Sequence, residues 1–525
     1  MSLHIARSGP VRGERVLYAL ILVLAVFLGT YDLGQRDLFY DEVGSANLAS
    51  LKTEGLQYRT SPLYYFLLRL WPKFGPPEIS LRLFSVTFGV SSLFILFFLM
   101  RLVFDEQIAS LSVLIMSVSP FFIFMCRQAT PYAIFLFISL CNLYCYFSLL
   151  RGKSPRRWAL YVITAISGLL VHEGLLYLLA MEAVHAVFSG TGGRDGKKKL
   201  AFMIILMAAL FLVLIELLMK GRFKNIFYFA LFRDKYNFLP YSPLSKIFYT
   251  FFVFSVGETV LPWSWHITIP SFFAFAAMAW LGLRRSLSHG RDRSLVFLVF
   301  LFIPVLALNS LKSFFPRYLF PALPFYAALI SCGLSGVRNR VFKTACILVI
   351  IASSGYSLFN YYTGREYHNN IYLDPWREVA SYIRDNIREG DIIVTVRPNM
   401  PLLYYYGKTD RQLFYTISFS LKKEMQGFVF NVSEKALEAH RRSVRRVWYI
   451  KNAPGLLMSR LMTEEELERR SEAFGKWLNA NFVLVETRKY LHDEHAPIKR
   501  KFIDKIFLDD RITVFLYEGK GEGVR

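Results

Sequence analysis

The chain has 525 residues, of which 54% are hydrophobic and only 19% charged, with 49 Phe, 30 Tyr and 8 Trp. Average globular chains carry roughly 25% charged residues, so much of this surface needs a nonaqueous solvent, and an ordinary soluble enzyme is excluded. The formal net charge of +23 would suggest nucleic acid in a soluble protein. Here the excess of Lys and Arg falls in short loops between apolar stretches, the positive-inside pattern of a polytopic membrane protein, and nucleic acid is not expected as a partner. Intrinsic disorder is excluded for the chain as a whole.

The first apolar run, Val16 to Tyr31, follows Arg7, Arg12 and Arg15. No small-residue cleavage pattern follows it, so it reads as a retained first span. A bilayer core needs roughly 17–25 helical residues. Further candidate spans are 83–103, 108–126, 131–150, 158–171, 174–189, 200–219, 267–283, 295–311, 318–336 and 344–362. Basic clusters lie at the N-terminus, at Arg151/Lys153/Arg156/Arg157, at Arg194/Lys197/Lys198/Lys199, at Arg284/Arg285/Arg291/Arg293 and at Arg338/Arg340/Lys343. Placing all of them in the cytoplasm requires four spans before the second cluster and two before each later one. Eleven spans meet that condition, with the N-terminus inside and the C-terminus outside. The stretch 246–265 contains Gly257, Glu258 and Pro262, which suits a re-entrant or interfacial helix; a hidden pair of spans there would give thirteen. The loop 220–245 reads as an interfacial helix on the outer face. None of the five cysteines has zinc-site spacing.

The composition changes at Thr363. Residues 1–362 are expected to form the transmembrane domain and 363–525 an extracytoplasmic α/β domain. In the latter, Asp374 to Arg388 reads as an amphipathic helix capped by Gly390, and Asp391 to Val396 as a buried strand. Val447 to Ile450, Phe482 to Val485 and Ile512 to Tyr517 are further strand candidates. Thr463-Glu-Glu-Glu466 opens a helix reaching about Asn479.

Candidate chemistry lies on the outer face. Arg36-Asp-Leu-Phe-Tyr-Asp-Glu-Val43 follows the first span, placing Asp37, Asp41 and Glu42 at the interface. Such carboxylates can be merely solvated, or one of them can act as a general base on a hydroxyl. Ser61-Pro62-Leu63-Tyr64-Tyr65 precedes the second span, followed by Arg82-Leu-Phe-Ser85. Arg127 to Tyr132 follows span 3, His172-Glu173 follows span 5, and Pro316-Arg317-Tyr318-Leu319 precedes a proline-bearing span.

In this order the elements resemble the membrane glycosyltransferases of GT-C fold, specifically the glycosyltransferase family 39-like group. That group holds the protein O-mannosyltransferases and the aminoarabinose transferase of lipid A. Asp374-Pro-Trp-Arg-Glu378 also looks like the bacterial members. The departures are Ser61-Pro62 in place of a proline pair, and a tail that matches nothing familiar beyond about residue 410. The resemblance implies inverting transfer from a polyprenyl-phosphate sugar to a glycan, lipid or protein acceptor at the outer face of a bacterial inner membrane. It implies Asp41 as general base beside Glu42. Substrate contacts would come from Asp37, Tyr64, Arg127, Tyr132, His172, Arg317 and Tyr318.

Arginine forks suit a departing phosphate, since each can contact two of its oxygens. The competing readings are headgroup snorkelling for Arg127, an interface anchor for Arg317 and a local hydrogen bond for His172. No metal is required by the resemblance, although Asp37, Asp41, Glu42, His172 and Glu173 are residue types compatible with a divalent cation. Two other classes compete: a lipid-linked-sugar carrier or flippase, and a noncatalytic assembly subunit on the same scaffold. A carrier would be expected to show internal repeats around a midplane site, and none is evident.

Overall fold

The computed structural model describes residues 12–50, 61–152, 154–189, 243–310, 316–368, 372–396, 399–407, 414–416, 423–425, 428–432, 444–452, 464–491 and 511–520, with isolated positions between 201 and 209. Apart from isolated positions and residues 243–245, the expected span at 200–219 and the interfacial helix at 220–245 lie outside these residues, as do the first and third basic clusters apart from the start of the first helix. The chain divides into two compact units. One comprises residues 1–33, 52–232 and 241–366; the other comprises 34–51, 233–240 and 367–525.

The first unit is helical. Helices α1 (Arg12–Thr30), α2 (Tyr40–Ser50), α3 (Pro62–Leu70) and α4 (Pro77–Val103) come first in the chain, and of these α2 belongs to the second unit. Then follow α5 (Glu106–Ser117), α6 (Pro120–Cys126), α7 (Tyr132–Arg151), α8 (Pro155–Val171) and α9 (Leu175–Phe188). After the undescribed stretch come α10 (Pro243–Val256), α11 (Trp265–Ser288) and α12 (Arg291–Asn309). A 3-10 turn at Pro316–Ala322 leads into α13 (Leu323–Gly336), and α14 (Arg340–Thr363) closes the unit.

Among the described residues six helical segments are long and apolar enough to cross a bilayer, or seven if the bent pair α5–α6 is one span. The bend of 65° has a local cause. Pro120 has no N–H to continue α5, so Ser119 starts a new helix by accepting from Phe122 N–H at 3.4 Å. The apolar stretch at 246–265 begins inside α10, whose 14 residues are too short to span and end at Val256, and it continues as a loop to the start of α11 at Trp265. The expected eleven or thirteen spans are therefore met in part by these segments. At 158–171 and 174–189 the helices are 17 and 14 residues long.

The second unit holds a seven-stranded sheet in the order β3-β4-β2-β1-β5-β7-β6. The strands are β1 (Asp391–Thr395), β2 (Phe414–Thr416), β3 (Lys423–Met425), β4 (Phe428–Val432), β5 (Arg446–Asn452), β6 (Phe482–Leu491) and β7 (Arg511–Gly519). β1 pairs in parallel with both β2 and β5, while β7 runs antiparallel to β5 and β6. The helices are α15 (Trp376–Asn386), α16 (Met400–Tyr406) and α17 (Glu464–Asn481). Ile392, Val394, Val447, Tyr449, Phe474, Leu478 and Tyr517 form the core between sheet and helix. The strand sequences anticipated at 391, 447, 482 and 512 are all strands here. The short β2, β3 and β4, and α16, were not foreseen.

One buried ion pair fixes the sheet centre. Asp391 accepts from Arg446 at 3.0 and 2.6 Å, from Trp448 Nε1 at 3.0 Å and from Arg388 N–H at 2.8 Å. Removing one partner of such a pair strands a buried charge, at a cost of about 3–5 kcal/mol. Asp391→Ala should therefore lower the melting temperature of this unit markedly, and adding Arg446→Met should recover part of the loss. Thermal unfolding followed by tryptophan fluorescence checks both.

Candidate functional site

In the helical unit, three helix ends bring aromatic and charged side chains together. Tyr132 opens α7, His172 is the first residue past α8, and Arg317 and Tyr318 lie on the 3-10 turn. The His172 ring stacks on Phe135 at 4.7 Å and lies 5.3 Å from Tyr132 and 6.4 Å from Tyr318, centroid to centroid. The Arg317 guanidinium sits over the Tyr132 and Tyr318 rings, at 5.7 and 5.8 Å, a cation–π arrangement. Four of the residues anticipated from sequence, Tyr132, His172, Arg317 and Tyr318, thus meet in one cluster.

His172 is oriented by its own loop. Gly174 N–H donates to its Nδ1 at 2.9 Å, so in the neutral ring the proton is on Nε2. A Cβ at Gly174 would lie 2.9 Å from that Nδ1 and 3.0 Å from Phe135, so glycine is what allows the turn to close. Burial holds the imidazole below its ordinary value, and the Arg317 charge pushes the same way against Glu173.

Glu258 is the acidic partner that the sequence showed only as an interruption of an apolar stretch. Part of its surface stays open, yet burial among protein atoms pushes its carboxyl up to about 7, with the Arg317 charge opposing. Its loop, 257–264, is pinned to α14. Thr259 Oγ1 donates to Ser357 O at 2.8 Å, and Asn360 Nδ2 donates to Thr259 O at 2.9 Å. Glu366 accepts from Leu261 N–H at 3.2 Å, Ser264 Oγ at 3.0 Å and Tyr356 Oη at 2.9 Å. Glu366 has a left-handed φ of +52°, which costs a non-glycine residue about 1–2 kcal/mol; the three hydrogen bonds offset that. Gly257, at φ +79°, starts the loop where a Cβ would lie 2.8 Å from Pro120.

The other anticipated residues have different surroundings. Arg127 is buried and braces the end of α1. It donates to the carbonyls of Leu28 (3.1 Å), Gly29 (3.2 Å), Tyr31 and Asp32 (3.2 Å) and to Tyr361 Oη at 3.1 Å. Its guanidinium also covers the Tyr361 and Tyr362 rings. The last carbonyls of a helix have no intrahelical donor and carry the negative end of its dipole, and Arg127 satisfies both. Arg82 donates to Leu33 O, in the turn after α1, at 2.9 Å. Tyr64 is fully buried, packed on Tyr65 and Phe84 at 5.1 and 5.8 Å.

Asp37, Asp41 and Glu42 belong to the second unit. Asp41 and Glu42 occupy the first turn of α2, where negative charge suits the helix dipole. Glu42 is buried and accepts from Phe39 N–H at 3.3 Å, the back-reaching half of a capping box. Asp41 is half-buried on the same turn. Asp37 accepts from Arg377 N–H at 2.6 Å and pairs with its guanidinium at 3.3 Å. Among the described residues no three His, Cys, Asp or Glu side chains gather as metal ligands.

Residues 59–218 match the profile of the dolichyl-phosphate-mannose-protein mannosyltransferase family. ArnT from Cupriavidus metallidurans in the apo state superposes with a TM-score of 0.60 at 11% identity, covering 96% of this chain and 98% of that one. The same protein bound to undecaprenyl phosphate gives 0.56 at 12% identity, over 97% and 98%.

The chain has the GT-C fold.

Within that fold it resembles the glycosyltransferase family 39-like membrane enzymes. The Archaeoglobus fulgidus oligosaccharyltransferase tethered to an acceptor peptide, also GT-C, aligns at a TM-score of 0.50 and 12% identity, over 83% and 69% of the chains. No curated protein matches the sequence.

The Glu258 carboxyl should be protonated below about pH 7 and ionised above it. Infrared titration of the purified protein should show a protonated-carboxyl band that grows as pH falls through about 7 and is lost in Glu258→Gln. Arg317→Ala should move the midpoint up, because the opposing cation is gone. A Glu258 midpoint at the ordinary value of about 4.3 would contradict this environment.

Proposed function

We propose that the protein is an inverting glycosyltransferase. It moves a sugar from a polyprenyl-phosphate donor to an acceptor hydroxyl on the outer face of a bacterial inner membrane. The observation that carries the reading is the Arg317–His172–Tyr132–Tyr318 cluster at helix ends, with Glu258 within electrostatic reach of Arg317, in a chain that aligns with ArnT over nearly its whole length. Positive-inside parity supports the outer-face placement, with the N-terminus cytoplasmic and the tail outside.

The lipid tail stays in the bilayer while its phosphate and sugar reach polar groups at the interface. Arg317 meets the phosphate as negative charge builds on the leaving oxygen, where a fixed cation lowers the barrier most. Neutral His172 donates from Nε2 to a phosphate or sugar oxygen. Glu258, close to half-protonated near neutral pH, can donate to or accept from a hydroxyl. The Tyr132 and Tyr318 rings offer apolar faces with polar tips, suited to a sugar at a membrane boundary.

Asp41 is the general base. The acceptor oxygen attacks the anomeric carbon as the bond from that carbon to the phosphate oxygen breaks. The bonding pair leaves with the phosphate, the acceptor proton passes to the Asp41 carboxylate, and the anomeric configuration inverts. Glu42 holds the turn on which Asp41 sits. Arg127, engaged with the end of α1, serves the scaffold in this reading. No metal is needed for any of these steps.

The test is transfer from a radiolabelled polyprenyl-phosphate sugar in proteoliposomes. Asp41→Asn keeps size and removes the proton acceptor, so turnover should fall by about 10²–10⁴-fold with donor binding nearly intact. Wild-type turnover in Asp41→Asn would overturn the assignment.

A further inference from the structure

The helix that carries Asp41 is too short to order itself. α2 has 11 residues, whereas isolated helices below about 12–15 residues are marginal in water. Gly44 lies inside it, which costs roughly a further 1 kcal/mol relative to alanine. Its order must come from tertiary contacts, and in the second unit those contacts are concentrated just before its first turn.

Four consecutive residues, 36 to 39, each meet a different residue of the tail. Arg36 hydrogen-bonds Tyr367 Oη and lies over its ring at 5.0 Å. The Asp37 carboxylate takes the N–H of Arg377 at 2.6 Å, in the first turn of α15, and the guanidinium of the same residue at 3.3 Å. Leu38 N–H donates to Tyr405 Oη at 2.7 Å, and Tyr405 belongs to α16. The Phe39 ring meets Tyr372 edge-on at 4.8 Å. Beyond them α2 packs on α16, with Val43, Gly44, Ser45 and Leu48 buried. The Arg377 guanidinium also lies over the Tyr405 ring at 5.4 Å, so the Asp37 and Leu38 tethers share one support. α16 is in turn held to α15, where Arg384 donates to Tyr405 O at 3.3 Å.

We infer that the C-terminal unit is the positioning element of the proposed general base. Asp37, Arg377 and Tyr405 are positioning residues that hold the start of α2, and through it the turn that carries Asp41, in one conformation. This rests on the general-base reading and gives the tail a role in turnover: it orders the loop that carries the chemistry. The physical reason is that a proton acceptor works only within hydrogen-bond reach of the hydroxyl, and a displacement of about 1 Å can cost 10²-fold in rate. An 11-residue helix without outside support would not hold that tolerance, and pinning the four residues before it to the C-terminal unit does. The Asp37 carboxylate is the strongest of the tethers, because it joins a helix N-terminal N–H and a cation at once.

The test uses the full chain in detergent or proteoliposomes and reads two quantities. Hydrogen exchange is followed over 36–50 and, as a control, over β5. Turnover and donor KM are measured with a polyprenyl-phosphate sugar. In Asp37→Ala, exchange over 36–50 should rise while β5 stays protected, kcat should fall about ten- to hundredfold, and donor KM should hold. Asp37→Glu should recover part of both. Should Asp37→Ala not fold, Tyr405→Phe removes a single hydrogen bond and should shift the same readouts in the same direction, to a smaller extent.

Unchanged exchange over 36–50 in both variants would overturn the inference. So would faster exchange with wild-type kcat, since the tethers would then order the loop without serving turnover. Asp41→Asn run alongside separates the two levels. If it retains turnover, the general-base reading fails, whereas a fall in Asp41→Asn with no fall in Asp37→Ala sinks only the positioning role.

Discussion

Backbone and charged groups shut away from water must find partners, and this requirement shapes every part of the protein that bears on function. An unpaired buried polar group costs several kcal/mol in an apolar environment, and a helix end exposes four donors or four acceptors. The chain meets that demand with long charged side chains reaching across helix ends. Arg127 closes the carboxyl end of α1, Glu366 holds the loop after α10, and Asp37 fills the amino end of α15. Each contact fixes the direction in which the chain enters or leaves a helix, and Glu258 sits on one of the loops so held.

The result is a division between charged groups enclosed by backbone carbonyls and charged groups set among rings and titratable side chains. Arg127 and Arg317 have the same side chain and similar places at helix ends, but different surroundings. The first is enclosed by protein carbonyls, which compete directly with a phosphate for its donors. The second stands over two tyrosine rings and is flanked by a histidine and a glutamate whose proton equilibria respond to its charge. Rings attract a cation through their quadrupole. That contrast is why the proposed reading gives the donor phosphate to Arg317.

Much of the scaffold was legible in the sequence because its signals are local. Continuous apolar runs marked the spans at 77–103, 132–151, 265–288 and 340–363. Short β-branched runs bounded by charge marked β1, β5, β6 and β7. The cluster of residues 132, 172, 317 and 318 was legible because each follows or precedes an apolar run. What escaped depends on partners far apart in sequence. Nothing near Arg127 signals that the carbonyls of 28–32 need it. Nothing near Asp37 points to Arg377, 340 residues away. The first outer loop therefore read as an appendage of the membrane part, whereas residues 34–51 group with the tail. Glu258 was visible as a charge inside an apolar stretch, but its role depends on a loop pinned by Ser357, Asn360 and Glu366.

The most direct measurement is the affinity of the full-length protein for undecaprenyl phosphate, without any sugar, in wild type, Arg317→Ala and Arg127→Ala. Binding should be expressed per folded molecule, because loss of the α1 brace lowers stability. Arg317→Ala should weaken binding by tenfold or more, about 1.4 kcal/mol, while Arg127→Ala lowers the melting temperature and leaves the affinity of the folded fraction close to wild type. Wild-type affinity in Arg317→Ala, with the loss appearing in Arg127→Ala instead, would contradict the placement of the donor phosphate at the Arg317 cluster.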